Sequence, residues 1–235
     1  MKQEDLLMPG IDSPFGRYVG ELVVKLLPDG RRVQLFQEFG FVDSAQTIWH
    51  VPSDVIVDGA SIPQALWPLM GGPFEGKYRD ASVIHDYHCD TRTRPWKDVH
   101  RVFYDAMRVS GVGETRAKIM YAAVYFKGPR WSDATIHNVN KARDQPPLAD
   151  LLAPSDFERE TAKAVALDGI TADQLLLRGQ PMPPEGGKAV LDLDMLSSAI
   201  AAENPSIAEI EVSLDMLEPF ANTDERVLVV SDMKD

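Results

Sequence analysis

The sequence lacks the cysteines that a disulfide framework needs, because Cys89 is the only one among 235 residues. A single thiol excludes folds that are stapled by internal disulfides and favours a reducing compartment. No stretch approaches the roughly 18 consecutive apolar residues of a membrane span, so no transmembrane helix is predicted. The first 18 residues carry early acids and no apolar run, which is untypical of a secretory signal. We therefore expect a cytoplasmic protein.

A surplus of positive charge is also missing, and the negative charge is unevenly distributed. Up to Asp144 the chain has 18 Lys and Arg against 18 Asp and Glu, whereas residues 145–235 have 6 against 18 and carry the whole net charge of −12. Every Trp, Tyr, His and Cys precedes Gln145. Acidity disfavours nucleic acid as a partner. We expect a domain over residues 1–144 and an acidic, partly ordered extension over residues 145–235 that docks onto a protein partner.

Turn residues between β-rich runs predict hairpins in the first 50 residues. Pro28-Asp29-Gly30 separates the run at residues 21–27 from the run at residues 32–36. A polar segment at residues 43–46 separates residues 39–42 from residues 47–51 in the same way. The chain therefore begins with a β-rich region.

Apolar residues at helical spacing follow the β-rich region and predict three amphipathic helices. They cover residues 81–88, 96–109 and 114–126, and glycines mark the ends of the last two. Further elements are predicted as a short helix over residues 64–70, helices beginning at Ser155 and Thr171, a helix over residues 191–202 and a strand over residues 226–230. The fold class is α+β: N-terminal hairpins, a core of three helices and an acidic C-terminal extension.

The segment from residue 58 to residue 107 concentrates the groups that can do chemistry, including three of the five histidines and the cysteine. His85 and Asp86 are adjacent, so on a helix their side chains point about 100° apart and can line one cleft. His85 suits a general base and Asp86 a cation ligand. The Asp58-Gly59 turn can offer a carboxylate and backbone carbonyls to a hard cation such as calcium. These residues predict a hydrolase in which the cation polarises a carbonyl while His85 activates water.

Two alternatives to the calcium-assisted site remain open. His85, His88 and Cys89 fall on one helical turn and His100 lies on the next helix. With Asp86 or Asp90 they can form a zinc or other transition-metal site, which predicts a transition-metal hydrolase that uses His85, His88 and His100. Cys89 is more often explained as a buried small apolar residue. The other alternative is a non-catalytic structural or interaction protein, whose helices form a scaffold and whose acidic extension docks a partner.

The sequence resembles an uncharacterised family of phage and prophage proteins over residues 20–131. The resemblance rests on Val51-Pro52, the turn VDGASIP at residues 57–63, the triplet His85-Asp86-Tyr87 and the spaced residues of segment 100–107. It implies family membership and no specific activity. If the chain is phage-encoded, its location is the host cytoplasm or the virion.

A more distant resemblance is to prokaryotic phospholipases A2, which carry an Asp-Gly calcium loop, a helical His-Asp pair and a second helix with spaced Phe, Tyr and Met. It implies a phospholipase A2-like helical core and a calcium-dependent enzyme that hydrolyses an ester or phospholipid-like substrate. Asp58, Gly59 and Asp86 would be calcium ligands, and His85 the catalytic base. The residue that orients this base, an Asp in those enzymes, falls at His100. Packing residues of the second helix would be Phe103, Tyr104 and Met107.

Overall fold

The computed structural model describes most of the first 136 residues and two parts of the C-terminal region. It covers residues 13–29, 32–58, 76–133, 135–136, 190–217 and 227–229. Over these residues the fold is α+β, with small sheets first and helices after them, which confirms the predicted class. The predicted helix at 64–70 and those beginning at Ser155 and Thr171 lie outside the described residues.

Six short strands form two three-stranded antiparallel sheets. In chain order they are β1 (Gly16–Val19), β2 (Val24–Leu26), β3 (Val33–Leu35), β4 (Phe39–Asp43), β5 (Ile48–Val51) and β6 (Ile56–Val57). One sheet has the order β1-β4-β5 and the other β2-β3-β6. The two predicted hairpins are confirmed as β2-β3 and β4-β5, and the outer strands β1 and β6 were not expected.

Asp43 fixes the turn between β4 and β5. Its carboxylate accepts a hydrogen bond from the backbone of Thr47 at 2.8 Å and from the indole of Trp49 at 2.9 Å. Gln46 adopts the left-handed conformation that such a tight turn requires (φ 62°). As a result Trp49 is buried opposite Phe41, and the sheet presents an aromatic face to the helices.

Five helices follow among the described residues. They are α1 (Arg79–Thr91, preceded by a 3₁₀ turn at Gly76–Tyr78), α2 (Trp96–Val109), α3 (Glu114–Lys127), α4 (Leu193–Glu203) and α5 (Ile207–Leu217). Two further strands, β7 (Val190–Asp192) and β8 (Val227–Val229), pair in parallel. In this part of the chain, no helix has the length and apolar character to span a bilayer.

The three predicted core helices are α1, α2 and α3, and the described residues form five helices because two more lie in the acidic extension. α4 matches the expected segment 191–202, and β8 falls within the strand expected at 226–230. α5 was missed although Ile207, Ile210, Leu214 and Leu217 recur at helical spacing and are buried. Acidic residues between them gave this segment the appearance of an unfolded tail.

A continuous hydrophobic core joins the sheets to all five helices. α3 is buried on nearly every side, which explains its apolar sequence from Ile119 to Phe126. The sheet is tied to α2 by Tyr18, whose hydroxyl lies 3.0 Å from the carbonyl of Ala106 and 2.8 Å from the hydroxyl of Ser110. α2 therefore lies between the sheet and α3 and is buried over most of its length.

The described part of the acidic extension packs onto α3. Two tyrosines one helical turn apart on α3 donate to two carboxylates one turn apart on α5: Tyr121 to Glu211 at 2.5 Å and Tyr125 to Asp215 at 2.6 Å. Matching spacings of four residues fix the register of the two helices. The boundary at residues 144 and 145 and the docking of a separate partner stay predictions.

We expect Tyr121→Phe to lower the free energy of unfolding by about 1.5–3 kcal/mol, the range for a hydrogen bond to a charged group. Tyr121 is fully buried, and the substitution removes the donor to Glu211 without removing the ring. Urea denaturation measures the change. Tyr87→Phe, at a half-buried tyrosine of α1, is the control. An equal loss in both variants would contradict the assigned importance of the Tyr121–Glu211 bond.

Candidate metal centre

Packing of α1 against α2 brings His85 and His100 together. The Nε2 atom of His85 lies 2.8 Å from the Nδ1 atom of His100, which is hydrogen-bond distance, and both side chains are fully buried. Since two ring nitrogens face each other, one histidine donates the proton and the other accepts it. The predicted neighbours His85 and His100 are therefore adjacent in space, although 15 residues separate them in the sequence.

Cys89 completes a cluster with the two histidines. It lies four residues after His85 on α1, so both side chains project from the same face of the helix. Its Sγ atom is 3.5 Å from the Nε2 atom of His85. One ligand atom from each of His85, Cys89 and His100 lies within 4.8 Å of the others, and all three residues are buried. This His–Cys–His cluster is the candidate site.

Aromatic rings and a glycine enclose the cluster. The ring centroid of Phe103 is 4.8 Å from that of His85, and the centroid of Trp96 is 5.4 Å from that of His100. Gly128, just after α3, allows the backbone to approach the His100 ring: a Cβ atom there would be 2.3 Å from the carbonyl oxygen of Val124 and 3.0 Å from Nε2 of His100. A side chain at position 128 would therefore displace His100 or α3.

Burial keeps His85 uncharged. Desolvation lowers its pKa from 6.5 to about 3, because the imidazolium form would have to exist without water. At neutral pH the ring is a neutral imidazole, the form that binds metals. The same shift makes His85 a weak general base, because a base with a pKa of about 3 has little driving force to take a proton from water.

The residues predicted to bind calcium do not join this cluster. Asp86 is buried on α1 and points about 100° away from His85. Asp58, after β6, is half-buried. Burial of Asp90, and after it the charge of Asp58, raises the pKa of Asp90. Gly59 lies outside the described residues. Within the described ranges, no group of three potential ligands includes Asp58 or Asp86.

His88 is also not one of the residues grouped with His85 and His100. Its ring packs edge-on against Trp49 and Tyr87, with centroids 5.1 Å away in each case. The described cluster therefore contains Cys89 where the transition-metal hypothesis had His88. On a helix, positions three and four residues after His85 are both its neighbours, so sequence spacing alone did not separate His88 from Cys89.

His85 should make the chelator-treated protein sensitive to acid. Between pH 6.5 and 3 an unfolded His85 binds a proton and the folded one does not, so its contribution to stability is lost as the pH falls. From pH 7 to pH 5, wild type should lose about 2 kcal/mol more of its free energy of unfolding than His85→Gln. Urea denaturation at both pH values measures this. Equal pH sensitivity of the two proteins would contradict a buried, neutral His85.

Comparisons with known proteins place the cluster in a segment without an assigned role. Residues 33–124 match the model of a family described as "Protein of unknown function (DUF1353)". Two similar proteins come from Sinorhizobium fredii (strain NBRC 101917 / NGR234). "Uncharacterized protein y4jT" is 52% identical over 99 residues, which is 42% of this chain and 30% of that protein. "Uncharacterized protein y4iH" is 44% identical over 109 residues, which is 46% of each.

The chain thus spans less than half the length of either curated relative. No solved structure matches it. The expected link to an uncharacterised family is confirmed, whereas phage origin and similarity to phospholipases A2 stay predictions. Over residues 33–124, which include His85, Cys89 and His100, the chain matches the DUF1353 family of unknown function.

Proposed function

We propose that the chain binds a transition-metal ion of the zinc class through His85, Cys89 and His100 and uses it in a hydrolytic reaction. The observation that carries this proposal is the convergence of two imidazole nitrogens and one thiol within 4.8 Å in a buried place. Nitrogen and sulfur donors suit zinc and related ions, whereas calcium takes oxygen donors. This donor set therefore favours zinc over calcium.

The distances in the cluster support the proposal. Tetrahedral zinc with bonds of about 2.3 Å to sulfur and about 2.05 Å to nitrogen separates sulfur from nitrogen by about 3.5 Å and nitrogen from nitrogen by about 3.3 Å. The Sγ atom of Cys89 is 3.5 Å from Nε2 of His85. The two histidine nitrogens, at 2.8 Å, would separate by about half an ångström when an ion replaces their shared proton.

Three protein ligands suit a catalytic zinc centre, in which the fourth position is left for water or substrate. An ion held by His85, Cys89 and His100 would supply a water of lowered pKa and would polarise a carbonyl, so hydrolysis of an ester or phospholipid-like substrate would not need a basic histidine. The lowered pKa of His85 is compatible with this role as a neutral ligand. We propose that Phe103 and Trp96, which pack against the two histidines, supply the dry surroundings that strengthen both effects.

A second candidate is the calcium-assisted hydrolase, in which His100 holds His85 as the base and Asp58, Gly59 and Asp86 bind the cation. The 2.8 Å bond between the two histidines favours it, because this bond would orient the ring of His85. It ranks second because burial lowers the pKa of that ring to about 3. The non-catalytic alternative keeps the acidic extension as the docking element for a partner.

Titration with zinc and cobalt tests the metal proposal. Chelator-treated protein should bind one ion per chain, and cobalt should give the charge-transfer absorption of a thiolate ligand. Cys89→Ser should remove that absorption. In the wild type, metal at a hundred times its dissociation constant should raise the free energy of unfolding by about 2.7 kcal/mol. His100→Ala should abolish this rise. His88→Ala is the matched control and should bind normally. Unchanged metal binding by Cys89→Ser would overturn the ligand set.

Hydrolysis of soluble esters and of phospholipid vesicles tests the reaction. Activity should follow zinc occupancy, disappear with chelator and be lost in Cys89→Ser, because the ion and not His85 activates water. Activity that needs calcium, fails in Asp86→Asn and survives in Cys89→Ser would favour the second candidate. Bound zinc without turnover of any of these substrates would overturn hydrolysis of this substrate class and leave metal binding intact.

A further inference from the structure

Trp96 packs against His100 on the side of α2 that faces Tyr125 of α3. The indole is partly exposed, and the His100 ring behind it is fully buried, with 5.4 Å between the ring centroids. On the neighbouring side Gly128 brings the backbone against His100, and its conformation leaves no room for a side chain. The indole is a single side chain at the start of α2, so it can move by rotation where backbone cannot.

Three side chains hold the indole of Trp96 in place. Tyr125 packs against it with a centroid distance of 5.0 Å. The guanidinium of Arg130 lies 4.3 Å and the ammonium of Lys97 lies 5.4 Å from the ring centroid. Cations over an aromatic face are attracted by its electron density, so these contacts favour the closed position.

One carboxylate of α5 links two of these three side chains. Asp215 accepts the hydroxyl proton of Tyr125 at 2.6 Å and pairs with the ammonium of Lys97 at 2.9 Å. Tyr125 belongs to α3 and Lys97 to α2, so Asp215 joins the two helices over Trp96. Glu211, one turn earlier on α5, accepts the hydroxyl proton of Tyr121, and the ring of Tyr121 packs against Tyr104 and Tyr125.

We propose that Trp96 is the gate to the His–Cys–His cluster and that α5 holds it closed through Asp215. The gate regulates the site assigned above, so its role in metal exchange rests on the proposed function. When the Asp215 carboxylate releases Lys97 and Tyr125, these two side chains lose their shared partner, and Trp96 can rotate away from His100. Ions and thiol reagents then reach Cys89 faster.

The ion pair between Lys97 and Asp215 is weak enough to break. The side chains of Lys97 and Asp215 are 49% and 39% exposed, so water and salt screen their attraction. α5 also lies outside residues 33–124, the part that matches the family model. The gate is therefore formed by family-matching residues of α2, including Trp96, and by a helix that the family match does not include.

The reaction of Cys89 with a thiol reagent tests the gate without any metal. Cys89 is the only cysteine, so the modification rate reports access to the cluster alone. In chelator-treated protein, Asp215→Ala should react about tenfold faster than wild type, and tenfold corresponds to about 1.4 kcal/mol. Glu211→Ala is the matched control, because it removes the other tyrosine–carboxylate bond between the same helices. The increase in the rate of Cys89 modification in Glu211→Ala should be much smaller than tenfold.

Trp96→Ala gives a second, independent comparison. With the gate removed, Cys89 should react fast, and adding Asp215→Ala should increase the rate no further, because both changes act on one step. The free energy of unfolding of each variant, measured in urea, corrects the rates for global unfolding.

Two outcomes would overturn the gate. One is an Asp215→Ala rate no higher than that of Glu211→Ala after correction for stability. The other is a Trp96→Ala rate equal to that of wild type. The rate at which a chelator removes zinc from zinc-loaded protein is the companion measurement. Accelerated thiol modification without zinc binding would support the gate and refute the proposed zinc site. Zinc binding with unchanged modification rates would support the zinc site and refute the gate.

Discussion

The hydrogen bond between His85 and His100 is the constraint on which the site depends. Two polar rings lie in a core made of aromatic and aliphatic side chains, where a polar group without a partner costs free energy. One nitrogen of each ring bonds the other ring at 2.8 Å, which fixes the position of α1 along α2. That position places Cys89 beside both rings and requires Gly128 to be small. The cluster, the helix packing and the end of α3 are therefore one arrangement.

Burial also decides which chemistry suits these residues. A histidine in water is a good proton acceptor near neutral pH, but without water its charged form is penalised and its pKa falls to about 3. A ring with such a low pKa is a poor general base, but the neutral imidazole still binds metal ions. The nearby thiol adds a donor that calcium does not favour and zinc does. Burial of His85 and the nitrogen and sulfur donors of the cluster together separate the two hydrolytic schemes.

The acidic extension shows how charge can be misleading when it is counted without geometry. Carboxylates at 211 and 215 look like solvated charges in the sequence, yet both bond tyrosine hydroxyls of α3. Beside these carboxylates on α5, Ile210, Leu214 and Leu217 are buried in the common core. A helix with an acidic side can therefore pack on its own chain when the receiving surface offers hydroxyl donors and a lysine.

The sequence by itself determined the local structure: the hairpins around residues 28–30 and 43–46, and the three helices from Arg79 to Lys127, because turn chemistry and periodicity act over a few residues. The pairing of His85 with His100, which lie 2.8 Å apart, was implied by the resemblance to phospholipases A2. Only the tertiary structure chose Cys89 over His88, since both are helical neighbours of His85 and the choice depends on how α1 is rotated against α2 and β5. Long-range packing likewise decided that α5 covers α3, because complementarity between residues about 90 positions apart leaves no local pattern.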